Sequence, residues 1–215
     1  MAENNEFISS FFIDRDPFLA GLRSYALENS VPILRPDSAS LLLTLTALKK
    51  PARILETGTA IGYSAILMAS AAPGAEIETV EIDPDMASLA RANISRAGLG
   101  DRIRVILGDA SEVLPALRGT YDMIFLDSAK GQYVHLLDDV LRLLPSGGLL
   151  VADNCIFYGK VFDEPSSAPH KHRTIVVNMR AFLDRVLRSG EDGGRVEFRG
   201  TLLETGDGMM VAVRL

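Results

Sequence analysis

The residues able to do chemistry in this chain are acids that recur at regular places. Glu56, Glu81, Asp109, Asp127 and Asp153 each close a short apolar run. That is where a strand of an open α/β sheet ends, and such sheets bind ligands beyond the carboxyl ends of their strands. Any one of these acids could cap a helix, the ordinary use of Asp after a strand. All of them on one rim would repel each other unless a cation offset the charge. Asp127, Asp153 and the neighbouring Asn154 offer hard oxygen ligands. An oxygen-only set with few carboxylates and room for water suits Mg²⁺ or another divalent ion such as Mn²⁺. Lys130 follows in Asp127-x-x-Lys130. A lysine beside such a cation is pushed toward its neutral form, as a general base requires. The plainer alternative is a surface lysine at a helix start, where the helix dipole disfavours it.

A second group of residues points to an adenosine ligand. Ala52–Ser64 reads as an apolar strand, a turn at Glu56-Thr57-Gly58, a second glycine at Gly62 and a helix from Ser64 to Ala71. Gly58 permits a sharp turn with no Cβ facing a ligand. The G-x-G-x-x-G spacing that seats a pyrophosphate on a helix N-terminus is absent. Glu56 would repel a phosphate but suits a cation. S-adenosylmethionine (SAM) has no phosphate and carries a sulfonium and an ammonium. Glu81 ends the second strand at the position where a carboxylate binds ribose hydroxyls, about 20 residues beyond the glycine turn. Asp109 and Ala110 end the third strand, beside the expected adenine. The competing readings are a SAM-binding module without catalysis and an NAD-dependent reductase.

The histidines do not suggest zinc. His170 and His172 lie two apart in a predicted loop, His135 falls on a predicted helix as a packing or surface residue, and no His-Glu-x-x-His is present. The chain has 215 residues, 47% hydrophobic and 23% charged, which suits one domain of ordinary globular composition. Its net charge of −6 argues against nonspecific coating of nucleic acid. A single cysteine, Cys155, excludes an internal disulfide and fits a reducing, cytoplasmic setting. Glu3, Glu6, Asp14 and Asp16 replace the basic start of a signal peptide, and the apolar run Leu41–Leu48 is too short to span a membrane.

The elements that must position these residues begin with residues 1–16, an arm or short helix. A helix starts at Asp16-Pro17 and buries Phe18, Leu22 and Ala26; a second starts near Asp37-Ser38 and runs through Leu41, Leu42, Leu45 and Leu48. Residues 1–50 thus form a helical extension, and 51–215 form the core of a single domain. Strands are predicted from Ala52 to Glu56 and at Ala75–Glu81, Ile103–Leu107, Tyr121–Leu126 and Leu149–Ala152. Helices are predicted from Asp83-Pro84 to Gly98 or Gly100, from Tyr133 to Leu144 and from Arg173 to Arg188, the last after a long loop at Ile156–His172 containing Pro165, Ser166, Ser167 and Pro169. Val196–Leu203 and Met209–Val213 form a hairpin around Gly206-Asp207-Gly208. The alternation predicts an α/β fold, a mostly parallel sheet with helices on both faces and an antiparallel end.

Several motifs, collinear over nearly the whole chain, then carry a resemblance. They are Glu56-Thr-Gly58-Thr-Ala-Ile-Gly62-Tyr63-Ser64, Val80-Glu81-Ile-Asp83, Gly108-Asp109-Ala110, Asp127-x-x-Lys130, Asp153-Asn154 and Gly206-Asp207-Gly208. Together they resemble class I SAM-dependent, metal-dependent O-methyltransferases of the catechol and caffeoyl-CoA type. Val31-Pro32-Ile33, Ala129-Lys130-Gly131-Gln132-Tyr133 and Asp153-Asn-Cys-Ile-Phe-Tyr-Gly159 are most similar to the branch that methylates 5-hydroxyuridine in bacterial tRNA. Ser128 departs from the Ala more usual there, and Lys171 and Arg173 make a thinner basic tract. The resemblance implies a Rossmann-like sheet of seven strands with the last antiparallel. It implies Mg²⁺ held by Asp127, Asp153 and Asn154, and Lys130 as base. It also implies a SAM site formed by Glu56, Gly58, Ser64, Glu81, Asp109, Ala110 and Asp127, and a homodimer.

One mechanism serves two acceptors. Catechol presents two vicinal oxygens, and 5-hydroxyuridine presents its 5-hydroxyl and 4-carbonyl. Lys160, Lys171, Arg173, Arg180, Arg185 and Arg188 would suit the phosphates of a tRNA anticodon loop. The same tract also reads as an amphipathic helix with Val176, Val177, Ala181, Leu183 and Val186 buried. The tRNA acceptor is the first expectation; a small catechol-like or CoA-linked phenol is the alternative.

Overall fold

The computed structural model describes residues 10–12, 14–164, 169–191 and 195–215. Most of the expected N-terminal arm, with Glu3 and Glu6, and Pro165, Ser166 and Ser167 of the predicted loop lie outside the described residues.

Helix α1 (Pro17–Glu28) starts where Asp16 accepts the Phe18 N–H at 2.8 Å and buries Leu19, Leu22 and Ala26. Helix α2 (Pro36–Lys49) begins at proline with no side-chain cap, slightly before the predicted Asp37-Ser38 start. Its Leu42 is buried, but Leu48 is exposed. The core then alternates as β1 (Arg53–Thr57), α3 (Tyr63–Ala71), β2 (Glu76–Glu81), α4 (Pro84–Arg96), β3 (Ile103–Leu107), α5 (Ala110–Ala116), β4 (Met123–Leu126), a 3₁₀ turn (Lys130–Gln132), α6 (Tyr133–Leu143), β5 (Leu149–Ala152), α7 (His170–Leu187), β6 (Phe198–Leu203) and β7 (Met209–Arg214).

Helix α5 has no counterpart among the predicted elements. It is short and contains Pro115, a residue that argues against a helix interior. Helix α7 begins earlier than predicted, so His170 and His172 sit in its first turn and not in a loop. It buries Val176, Met179, Phe182, Leu183 and Val186, while Val177 and Ala181 are exposed.

The seven strands run in the order β3-β2-β1-β4-β5-β7-β6. The first five are parallel, and β7 is antiparallel to both β5 and β6. The last strand is therefore not at the edge; β6 is. Successive residues of the central strands go to opposite faces. Leu55, Ile124, Leu126, Leu150 and Ala152 join the core under α5, α6 and α7, and Ile54, Met123, Phe125 and Val151 join the core under α1 to α4. Strands β4 and β5 are buried throughout, as parallel strands covered on both faces must be. Among the described residues no helix is long and apolar enough to cross a membrane.

Candidate active site

A cleft of about 400 Å³ opens beyond the carboxyl ends of the parallel strands. Gly58, Glu81, Asp109, Ala110, Asp127, Lys130, Asp153 and Asn154 all line it. The fold brings them together because each lies at or just past a strand end. The ladder continues into the acids themselves: the Asp127 N–H donates to Thr57 O at 2.9 Å, and the Asp153 N–H to Leu126 O at 3.0 Å. Gly58 is needed at the joint between β1 and β4. Its φ is 91°, and a Cβ there would stand 2.1 Å from the Asp127 carbonyl oxygen.

Glu56 and Ser64 are not on the wall. Both are buried behind it, since Glu56 lies within β1 and Ser64 within α3. Burial raises the Glu56 carboxyl to about 7, against the lowering effect of the Ser64 and Thr79 hydroxyls. Thr79 Oγ1 donates to its Oε2 at 2.5 Å, while Oε1 has no protein partner.

The carboxylates on the wall differ in their partners. Glu81 is held at both oxygens by backbone: Ala60 N–H donates to Oε2 at 2.7 Å and Asp83 N–H to Oε1 at 2.9 Å. Asp109 caps α5 and accepts from the Ser111 hydroxyl and N–H, which hold it below the usual carboxylate range. The cap reading is thus correct for Asp109. Asp127 and Asp153 have far less support. Burial first, and then the charge of Asp153, pushes Asp127 well up; Lys130 opposes this. Burial also raises Asp153 to about 6, and its Oδ1 is buried without a hydrogen-bond partner. Asn154 follows with φ 56°, the left-handed region that few non-glycine residues adopt.

Two like charges, an orphaned carboxylate oxygen and an amide on one wall fit a hard divalent cation. Among the described residues no group of three or more His, Cys, Asp and Glu could hold a metal, so any such site must draw on Asn154 or water. The other half of the cleft fits an adenosine ligand: Glu81 retains free lone pairs for hydroxyl donors.

Some contributors were not singled out as site residues from the sequence. Pro32, Ile33, Leu34 and Arg35 form one side of the cleft. Arg23 holds them there, donating to Leu34 O at 2.6 Å, to Asp14 Oδ2 at 2.6 Å and to the Tyr63 hydroxyl at 2.5 Å. The N-terminal extension therefore covers the site. Val31-Pro32-Ile33 carried this signal, but nothing in its composition assigns it a wall. Tyr133 is buried and its hydroxyl faces Leu126 O at 3.1 Å and Asp153 O at 3.3 Å, bridging the ends of β4 and β5. Gln132, Ile82 and Met86 also line the cleft.

Comparison with known proteins agrees with this geometry. The family model described as O-methyltransferase matches residues 9–215. The catechol O-methyltransferase of Niastella koreensis is 41% identical over 161 residues, 72% of each chain. That of Mycobacterium tuberculosis is 32% identical over 166 residues, covering 75% of this chain and 76% of its own. The solved O-methyltransferase of Bacillus cereus, in complex with SAH, superposes with a TM-score of 0.84 at 25% identity, over 99% of this chain and 97% of that one. A strand-end cleft with these acids, matched from one end of the described chain to the other, leaves one assignment: the chain belongs to the O-methyltransferase family.

Proposed function

We propose that this protein methylates a hydroxyl of a small catechol-like acceptor, using SAM and a divalent cation. The observation that carries the reading is the pairing in one cleft of a satisfied carboxylate, Glu81, with two mutually repelling carboxyls, Asp127 and Asp153, the latter with an orphaned oxygen, near Lys130. SAM would supply a methyl group activated by its sulfonium, and the cation would supply Lewis acidity that favours the ionised hydroxyl. Glu81 would bind the ribose hydroxyls, with Gly58, Asp109 and Ala110 around the nucleoside. Glu56 and Ser64 would act from behind the Gly58 turn. Asp127, Asp153 and Asn154 would hold the cation. The Lys130 amine would accept the hydroxyl proton. The Pro32–Arg35 wall would close the cleft against water and help align the two reactants.

The catechol-like acceptor is favoured over tRNA on two grounds. The relatives from Niastella koreensis and Mycobacterium tuberculosis are catechol O-methyltransferases. Four of the six basic residues that suggested RNA have partners within the chain. Arg180 donates to Asp163 O at 2.8 Å, Arg185 pairs with Asp138 at 2.5 Å and Arg188 with Asp184 at 3.3 Å. Lys160 lies over the rings of Phe157 and Tyr158.

The test is methyl transfer from labelled SAM to catechol and, in parallel, to tRNA bearing 5-hydroxyuridine, each with and without chelator. Chelator-sensitive label in catechol is expected. Label in the tRNA alone would move the protein to the RNA branch. Label that survives metal removal would take the cation away from Asp127, Asp153 and Asn154.

A further inference from the structure

The Gly206-Asp207-Gly208 turn between β6 and β7 has no part in the chemistry above, yet it reaches the acid end of β5. Cys155 and Ile156 donate their N–H groups to Gly208 O and Asp207 O, each at 2.8 Å. The Tyr158 N–H donates to Asp207 Oδ1 at 2.6 Å, a charge-assisted bond. The approach is close enough that a Cβ on Gly208 would stand 2.3 Å from Ile156 Cγ1. The segment so held contains three non-glycine residues in the left-handed region: Asn154, Phe157 and Tyr158, with φ of 56°, 50° and 56°. Such conformations persist only where the surroundings over-determine them. The turn is itself anchored from its far side. The Gly206 N–H donates to Asp37 Oδ2 at 2.7 Å, and Arg35 donates to Gly206 O at 3.2 Å. Arg35 is also part of the cleft wall.

We propose that Asp207 is a positioning residue: its carboxylate fixes the 154–158 segment and so presents Asn154 to the cleft beside Asp153. The inference rests on the reading of Asn154 as a cation ligand. A rival account is purely electrostatic. After burial, the negative charges of Asp207 and Asp37 are among the influences that raise Asp153. An amide at position 207 keeps the acceptor oxygen and removes the charge, so it separates the two.

The experiment uses the full chain as wild type, Asp207→Ala and Asp207→Asn. Three properties are read: hydrogen exchange of peptides covering residues 154–162, Mn²⁺ affinity from the free-ion electron paramagnetic resonance signal, and SAM affinity by calorimetry. For Asp207→Ala, exchange should rise about tenfold or more. Its Mn²⁺ affinity should fall about 10–100-fold, as when a ligand's outer partner is lost. Its SAM affinity should stay within about twofold, because the nucleoside half is built on other strands. Asp207→Asn should stay close to wild type in all three. Unchanged exchange in Asp207→Ala would overturn the proposal. So would an Asn variant as damaged as the Ala variant, which would assign the effect to charge. A joint loss of SAM and Mn²⁺ binding with a lowered melting temperature would also overturn it, as general destabilisation. If the wild type binds no Mn²⁺ while exchange still responds to Asp207→Ala, the cation reading fails and the hold of Asp207 on the segment stands.

Discussion

The two halves of the cleft are built from the same residue types on opposite principles. On the β1–β2–β3 side, the carboxylates of Glu81 and Asp109 are already satisfied by backbone and hydroxyl donors. They are set in place before any ligand arrives, ready to accept from neutral hydroxyls or amines. On the β4–β5 side, Asp127 and Asp153 repel each other, and one buried oxygen has no partner at all. An unsatisfied buried acceptor costs about 1–3 kcal/mol, more if charged. That cost makes sense where a cation or a proton completes the site. On the reading proposed above, one half is preorganised for recognition and the other is completed by what it binds.

Lys130→Met should break the incomplete half most severely. Loss of a general base costs about 10²–10⁴-fold in rate. The expected result is a fall in kcat for catechol with SAM affinity unchanged. An acceptor whose hydroxyl is already ionised at assay pH should recover much of the loss. A uniform loss for both acceptors would remove Lys130 from proton transfer.

Glu81→Gln tests the preorganised half and should do less. A hydrogen bond to a charged group contributes about 1.5–3 kcal/mol, or roughly 10–150-fold in SAM affinity. Calorimetry should show that loss while Mn²⁺ affinity holds. If both ligands weaken together, the two halves are not independent.

Glu56→Gln is read through stability, without ligands. The folded Glu56 carboxyl stands at about 7 against an ordinary 4.5. The native state therefore binds the proton more tightly than the unfolded chain. Stability should be greatest below about pH 4.5 for this group and fall as pH rises through about 7. The fall is on the order of 3 kcal/mol, and Glu56→Gln should flatten that part of the curve. Urea midpoints between pH 4 and 8, without ligands, provide the check. An unchanged slope in the variant would mean that another group carries it.

Much of this site is legible along the chain because α/β topology delivers every parallel strand end to one rim. Acids after apolar runs therefore meet without any contact being known. Glu56 shows the limit. It stands one residue before the end of β1, and that offset puts it behind the wall, with Gly58 in front. The misplaced start of α7 has a similar cause: His170, Lys171 and His172 are polar, so the apolar period that marks the helix begins only later.

What the sequence determined by itself is the alternation of strands and helices, the acids at their ends and the family. Each is a local pattern or a matter of residue identity. What only the tertiary structure decided is nonlocal. It placed β7 between β5 and β6, which brought the Gly206-Asp207-Gly208 turn against Asn154. It used Arg23 to tie Asp14, Leu34 and Tyr63 into one side of the cleft. It also left one Asp153 oxygen, Oδ1, without a partner while giving each Glu81 oxygen one. Hydrogen-bond satisfaction depends on which backbone groups arrive from distant segments, and no local periodicity carries that information.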